Sequence, residues 1–238
     1  MLTAKTKSGN IFNLGNNYEK ENLLILRNTE EFFCPVCGEA VSLKLGNQRI
    51  YHFAHRSGAA CGEFFENETL YHMKGKLQLY HWLIKQQISA ELEYYDPIIH
   101  QRPDIMFHYD GIKYALEYQC SPISEELFTK RSETYFQQNY IPLWIIGSKH
   151  IKAKRSNVFS LSNFEYFFLR KTKDGQLMLP SYCPEEMQFQ ILSSIHPYSI
   201  KNAIASSFQR SVHNTGIEEI LAPKLFHQFN LSKWTYES

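Results

Sequence analysis

The sequence predicts a mixed α/β chain, with an αβββαβ core behind a small module bearing cysteines and histidines, and a mixed, mainly helical region after it. Three observations predict this. A CxxC and an HxxH stand fourteen residues apart near the N-terminus. An Asp-Gly turn joins two alternating segments between residues 102 and 119, the strongest short-range signal for a β-hairpin. Segments of helical period flank that hairpin, and a short apolar run, Ile141 to Gly147, follows.

A length of 238 residues suits two or three units. The motifs divide them as 1–62 (front module), 63–155 (core) and 156–238 (a C-terminal α+β region). Hydrophobic residues at 43% and charged residues at 21% match a soluble globular protein. No stretch approaches the roughly 18 apolar residues a membrane helix needs. The first ten residues lack an apolar segment of the secretory kind, so a cytoplasmic location is expected. Five scattered cysteines are too few for a disulfide framework, and the close pair is better used for metal. Lys plus Arg, 25, nearly balances Asp plus Glu, 24, so any contact with nucleic acid must be local. The densest basic stretch is Lys149 to Arg155.

In the front module, Cys34-Pro-Val-Cys37-Gly38 is followed by a polar turn at Leu45 to Gln48 and then by His52-Phe-Ala-His55. Structural zinc takes four thiolate or imidazole ligands in a tetrahedron, commonly as two close pairs on two short elements. Cys34, Cys37, His52 and His55 supply both pairs, with Cys61 as an alternative to one histidine. Gly38 permits the turn after the second cysteine. Phe32, Phe33 and Phe53 offer an apolar backing. A closed site of this kind stabilises or docks and does not catalyse.

From Glu66 to about Gln87 the stripe Leu70, Met73, Leu77, Tyr80 and Ile84 predicts a helix. Glu68, His72 and Lys76, four residues apart, share its edge. An ill-defined strand near Ala90 to Tyr95 precedes the hairpin. With a two-residue loop at Asp110-Gly111, Tyr109 pairs with Ile112, which places Asp104 opposite Glu117 and Arg102 opposite Gln119 on one face. Pro103, Ile105, Phe107, Tyr109, Ile112, Tyr114, Leu116 and Tyr118 then form the apolar face. Carboxylates directly across an antiparallel pair, with Cβ atoms ~4.5–5.5 Å apart, repel unless a cation lies between them. All-oxygen ligation by Asp104 and Glu117 suits Mg²⁺ or Mn²⁺.

Ser124-Glu-Glu starts a helix running to about Gln138, with its acids at the positive end of the helix dipole. Ile141 to Gly147 is a short buried strand. In the tail, Phe164 to Leu169 and Gln176 to Leu179 flank Asp174-Gly175 as a second hairpin. Met187 to Ile195 alternates in part, and Ile200 to Val212 and Ile217 to Phe229 have helical character.

The order αβββαβ, with an acid on the second strand and an E-x-K-like triplet on the third, resembles the PD-(D/E)xK superfamily, and so implies a restriction-endonuclease-like core. The combination Glu68-x3-His72-x3-Lys76, Arg102-Pro103-Asp104-Ile105 and Glu117-Tyr118-Gln119, together with the CxxC and HFAH, is similar to the competence protein CoiA family over roughly residues 34–147. That likeness implies a divalent-metal-dependent deoxyribonuclease acting on incoming DNA in natural transformation and recombination, with DNA and recombination proteins as partners. It implies Asp104 and Glu117 as ligands of Mg²⁺ or Mn²⁺, and Glu68 reaching in from the first helix. His72 would hold a phosphate or water. Gln119 stands where the superfamily has lysine; an amide hydrogen-bonds but exchanges no useful proton near neutral pH. Lys76 and Arg102 are the candidates for the missing charge. The alternatives are a non-catalytic DNA-binding mediator that keeps the fold, and a zinc-stabilised adaptor that touches no nucleic acid.

Overall fold

A computed structural model describes residues 1–47, 49–55, 61, 68–172 and 174–221. The chain forms two compact units. The first comprises Met1–Tyr118 with Lys130–Leu143, and the second Gln119–Thr129 with the described residues from Trp144 onward.

The first unit opens with β1 (Thr3–Thr6), β2 (Ile11–Asn13), α1 (Lys20–Thr29), β3 (Phe32–Phe33), β4 (Ala40–Lys44) and β5 (His52–His55). These strands make an antiparallel sheet in the order β2-β1-β3-β4-β5. Alternation dictates its core: Val41 and Leu43 of β4 are buried while Lys44 is exposed. Val41 and Leu43 join Leu23 of α1, Phe32 and Phe53 in one cluster that also holds Cys34 and Cys61. The Phe32 and Phe53 rings lie 4.9 Å apart. Phe33, the next residue on β3, is only half-buried.

There follow α2 (Leu70–Lys85), β6 (Ala90–Leu92), β7 (Ile105–Tyr109), β8 (Ile112–Gln119), α3 (Glu125–Gln137) and β9 (Tyr140–Gly147), which is the αβββαβ order expected from sequence. Thr69 caps α2, its hydroxyl accepting from the His72 amide at 3.2 Å. The helix therefore begins after Glu68, and the expected start at Glu66 lies outside the described residues. The hairpin pairs Tyr109 with Ile112 and Ile105 with Leu116, as the turn chemistry required. Asp110 (φ 50°) and Gly111 (φ 72°) both take the left-handed conformation that a two-residue turn of this twist demands. Within this unit the strand order runs β9-β8-β7-β6.

Strand β8 is buried without interruption from Tyr114 to Gln119, so the expected division into one apolar and one polar face does not hold there. Both faces are covered. α2 packs against Tyr118, whose ring leaves no room for a side chain at Gly75. On the other face Met106 and Ala115 pack with Tyr135 of α3. The apolar stripe of α2 is also rotated from the expected one: Met73, Lys76, Leu79, Tyr80 and Leu83 are buried, whereas Leu70 and Ile84 are exposed. Partners for the lysine ammonium, described below, draw that edge inward.

The second unit contains β10 (Lys152–Arg155), β11 (Val158–Ser160), α4 (Asn163–Phe167), β12 (Arg170–Lys171), β13 (Leu177–Cys183), β14 (Gln188–Ser199), β15 (Asn202–Ser211) and α5 (Ile217–Leu221). Its strand order is β10-β11-β15-β14-β13, with β13 running parallel to the end of β9. Two tail expectations are corrected. Phe164 to Leu169 is largely the helix α4, opened by a capping box between Ser162 and Glu165. The segment from Ile200 to Val212, read as helix, is mostly the strand β15, paired along its length with β14. Ala203 and Ala205 are buried there beside Leu192 and Phe159, and sheet burial overrides a weak helical period. Of the predicted helix Ile217 to Phe229, residues 217–221 form α5, and 222–229 lie outside the described residues. Strands rather than helices therefore dominate the described tail. No helix among the described residues is long and apolar enough to cross a membrane.

Candidate metal centres

Cys34 and Cys37 flank a turn closed by the Gly38 amide on the Cys34 carbonyl at 3.0 Å, with Gly38 at φ 75°. β5 brings His55 opposite Val41, and Cys61 is buried in the same cluster. The Cys34 and Cys61 sulfurs are 3.8 Å apart, and Cys37 Sγ is 3.3 Å from His55 Nε2. Zinc–thiolate bonds of about 2.3 Å at the tetrahedral angle place two sulfurs about 3.8 Å apart, so the spacing fits. Ligand atoms of Cys34, Cys37, His55 and Cys61 all lie within 4.8 Å of one another.

The structure groups Cys61, rather than His52, with Cys34, Cys37 and His55. His52 is not part of the cluster: its Nδ1 sits 2.8 Å from the Ile50 carbonyl. His52 and His55 flank two residues of an extended strand, and an odd step of three turns them to opposite faces. Only one can join the cysteines. Burial, then the neighbouring Cys37 and Cys34, push the Cys61 thiol up to about 12. A bound cation reverses that penalty, because a coordinating thiol is deprotonated outright. Burial, with Arg102 nearby, lowers His55, which keeps its imidazole in the neutral form that ligates.

The second cluster centres on Lys76, 1% exposed. Its ammonium pairs with Glu68, with Glu93 at 2.6 Å and with Asp104 at 3.3 Å. Asp104 also accepts from the Tyr118 backbone amide at 2.9 Å and lies 3.0 Å from His72 Nε2. Glu93 takes a left-handed φ of 50° and accepts from the Leu2 and Thr3 amides of the front sheet at 2.8 and 3.1 Å. Arg102 lies 3.9 Å from Glu93. Burial alone would raise the pKa values of these acids and lower that of Lys76. Their mutual attraction wins: Glu68, Glu93 and Asp104 are held below, and Lys76 above, their ordinary values. Burial likewise opposes the protonated form of His72, but the Asp104 carboxylate outweighs it and raises the imidazole.

Three of these side chains, Glu68, His72 and Asp104, offer ligand atoms within 4.8 Å of one another. Two carboxylates and an imidazole suit Mn²⁺ at least as well as Mg²⁺. The three acids are matched by Lys76, Arg102 and the Met1 ammonium, 3.0 Å from Glu68, so the cluster is close to neutral when His72 is neutral.

Glu117 is not among them. It accepts from Arg131 and from Tyr135 of α3, on the face that carries Met106 and Ala115. Asp104 instead turns to α2. The backbone register that aligned the two acids is correct, but paired strand begins at Ile105, one residue too late to hold Asp104 to the alternation. Asp104 therefore groups with Glu68 and His72 and not, as expected, with Glu117. Nor does the ladder extend to Arg102. The Gln119 amide donates locally to the Ser121 carbonyl at 2.7 Å.

Sequence reasoning missed Glu93, Arg131 and Tyr135. Arg131 and Tyr135 stand four apart on α3 and so share a face, but nothing in the sequence pairs them with Glu117. Glu93 follows a short, weakly patterned strand and carries no periodic signal.

Comparison with known proteins now decides the family. Residues 68–225 match the family model "Competence protein CoiA, nuclease-like domain", and residues 15–64 match "Competence protein CoiA, N-terminal domain". The chain belongs to the CoiA family. It is 37% identical over 204 residues to the Competence protein CoiA of Bacillus subtilis (strain 168), covering 86% of this chain and 54% of that protein. The chain thus spans about half the length of this curated CoiA relative. No solved structure matches it. The N-terminal CoiA match holds Cys34, Cys37, His55 and Cys61, and the nuclease-like CoiA match holds the whole Lys76 cluster except the residues of the front sheet.

Proposed function

We propose that this chain is a divalent-metal-dependent deoxyribonuclease that processes DNA during natural competence, with a structural zinc ion in its front module. The observation that carries the reading is the convergence of Glu68, His72 and Asp104 beside a buried lysine, within a domain whose family model is described as nuclease-like.

The residues divide the work. Glu68, His72 and Asp104 hold Mn²⁺ or Mg²⁺; when bound, the ion supplies Lewis acidity, lowering the pKa of water and stabilising charge on phosphate oxygens. Lys76 is a fixed positive charge and not a proton carrier, since three carboxylates keep it protonated. Its charge, with that of Arg102, offsets the phosphate and fills the place that Gln119 leaves empty of charge. Glu93 and the Tyr118 amide orient Lys76 and Asp104. Glu117 anchors α3 through Arg131 and Tyr135. Cys34, Cys37, His55 and Cys61 hold zinc and fix the front sheet, whose first strand donates to Glu93.

A second reading, a DNA-binding mediator without cleavage, is favoured by the engagement of Glu117 with Arg131 and by the amide at position 119. Incubation of labelled single-stranded, duplex and branched DNA with Mn²⁺ or Mg²⁺ separates the two. Cleavage by the wild type that is lost in Asp104→Ala and Glu68→Gln and kept in Glu117→Gln supports the nuclease reading as drawn. Wild type that cuts none of the three substrates supports the mediator. Folded Glu117→Gln protein that has lost all cleavage would overturn the ligand assignment.

A further inference from the structure

We propose that a cleft in the second unit, between β10 and the polar residues Gln190, Ser207 and Gln209 of β14 and β15, is a binding track for the phosphate backbone of DNA, with Lys154 and Arg155 as its cations. The inference rests on DNA being the partner, and adds a surface to the metal cluster already described. The cleft encloses about 480 Å³ and is lined by Ala153, Lys154, Arg155, Gln190, Ser207 and Gln209, with Ser156 at its rim and Phe159 at its floor. No acid lines it.

Local geometry builds the charge. β10 is an edge strand, and all four of its residues are exposed. Its pairing with β11 skips Lys154: Ala153 faces Phe159 and Arg155 faces Val158. Regular alternation would send Lys154 and Arg155 to opposite faces. The bulge cancels one step, and both line the same cleft. Gln190 and Gln209 are direct cross-strand partners, and Gln190 donates to Ser207 at 3.0 Å. Amide and hydroxyl donors therefore stand opposite the two cations, which is the mixture that contacts phosphate oxygens.

The chemistry favours backbone over bases. Among the described residues the one aromatic ring of the lining, Phe159, is 2% exposed and offers no stacking platform. Two adjacent cations, neutral donors and no competing carboxylate fit a polyanion read without regard to sequence. Edge protection is the other use of lysine on such a strand, and it needs no ligand.

The test is binding of a fluorescent oligonucleotide, single-stranded and duplex in separate arms, by the full chain without added Mn²⁺, across a salt series. Each phosphate contact contributes ~0.7–0.9 to the slope of log K against log salt, so Lys154→Gln with Arg155→Gln should reduce the slope by ~1.4–1.8 and weaken binding on the order of tenfold. The charge-preserving pair Lys154→Arg with Arg155→Lys should bind as the wild type does. Unchanged affinity and slope in the double Gln variant would overturn the track and leave the DNA reading intact. Wild type that binds neither strand form would sink both. Because both side chains are exposed, a circular dichroism melt matching the wild type confirms that the variant is folded.

Discussion

Lys76→Met tests the central electrostatic claim, that one buried ammonium holds three carboxylates inside the fold. In the wild type Lys76 contacts Glu68, Glu93 and Asp104 and is 1% exposed. Methionine keeps most of the side-chain volume, so little of the effect is a cavity. What is lost is the compensating charge. Removing one partner of a buried ion pair typically costs about 3–5 kcal/mol, because the other charge is left without compensation. Here three acids share the lysine, and Arg102, His72 and the Met1 ammonium on Glu68 remain to soften the loss, so the lower half of that range is expected. At about 2–4 °C per kcal/mol for a chain of this size, the melting temperature should fall by roughly 6–16 °C. The assay is thermal and urea denaturation of wild type, Lys76→Met and the double variant Lys76→Met/Glu93→Gln. Neutralising one orphaned acid should recover ~1 kcal/mol or more of the loss. Excess Mn²⁺ should stabilise Lys76→Met more than the wild type, since the variant lacks the resident cation. A destabilisation below about 1 kcal/mol, or no recovery in the double variant, would refute the charge-compensation argument.

Three further outcomes follow from the same structure. Gly75→Ala should destabilise by ~1–3 kcal/mol despite alanine's better helix propensity, because its Cβ would lie 2.7 Å from Tyr118 Cζ; chemical denaturation measures this, and Tyr118→Ala in the same chain should cancel the overpacking component. Cys61→Ser should lower bound zinc, read by elemental analysis and by a chelator-release assay, whereas His52→Ala should leave the zinc content unchanged. Stability should fall with acid: Glu68, Glu93 and Asp104 have folded pKa values below their unfolded ones, so their contribution is full above about pH 4.5 and is lost as pH drops through the folded values, near 2 for Glu93. Melts from pH 7 to pH 2 should show this loss, and Lys76→Met should show a shallower one.

The amino-acid order alone determined the local geometry. Asp110-Gly111 admits one tight turn, and with it the pairing of Tyr109 with Ile112 and of Ile105 with Leu116. Thr69 and Ser124 mark helix starts through hydroxyls that accept from the first-turn amides of His72 and Leu127. CxxC spacing made a metal cluster legible, and the family motifs placed Glu68, His72, Lys76 and Asp104 in one site. These are properties of neighbouring residues, and backbone sterics settle them. Tertiary structure decided which side chains share a space. His55 joins the cysteines and His52 does not, because a strand turns them apart, and Cys61, six residues beyond His55, completes the set. Lys76 moves from the edge of its helix to the interior because Glu93, invisible to any periodicity, is brought beside it by another strand. Asp104 and Glu117 part company where the ladder ends, each taken by the cations of a different helix. Register is a short-range property of the chain, but the direction of a charged side chain at a strand end is chosen by the partners that folding delivers.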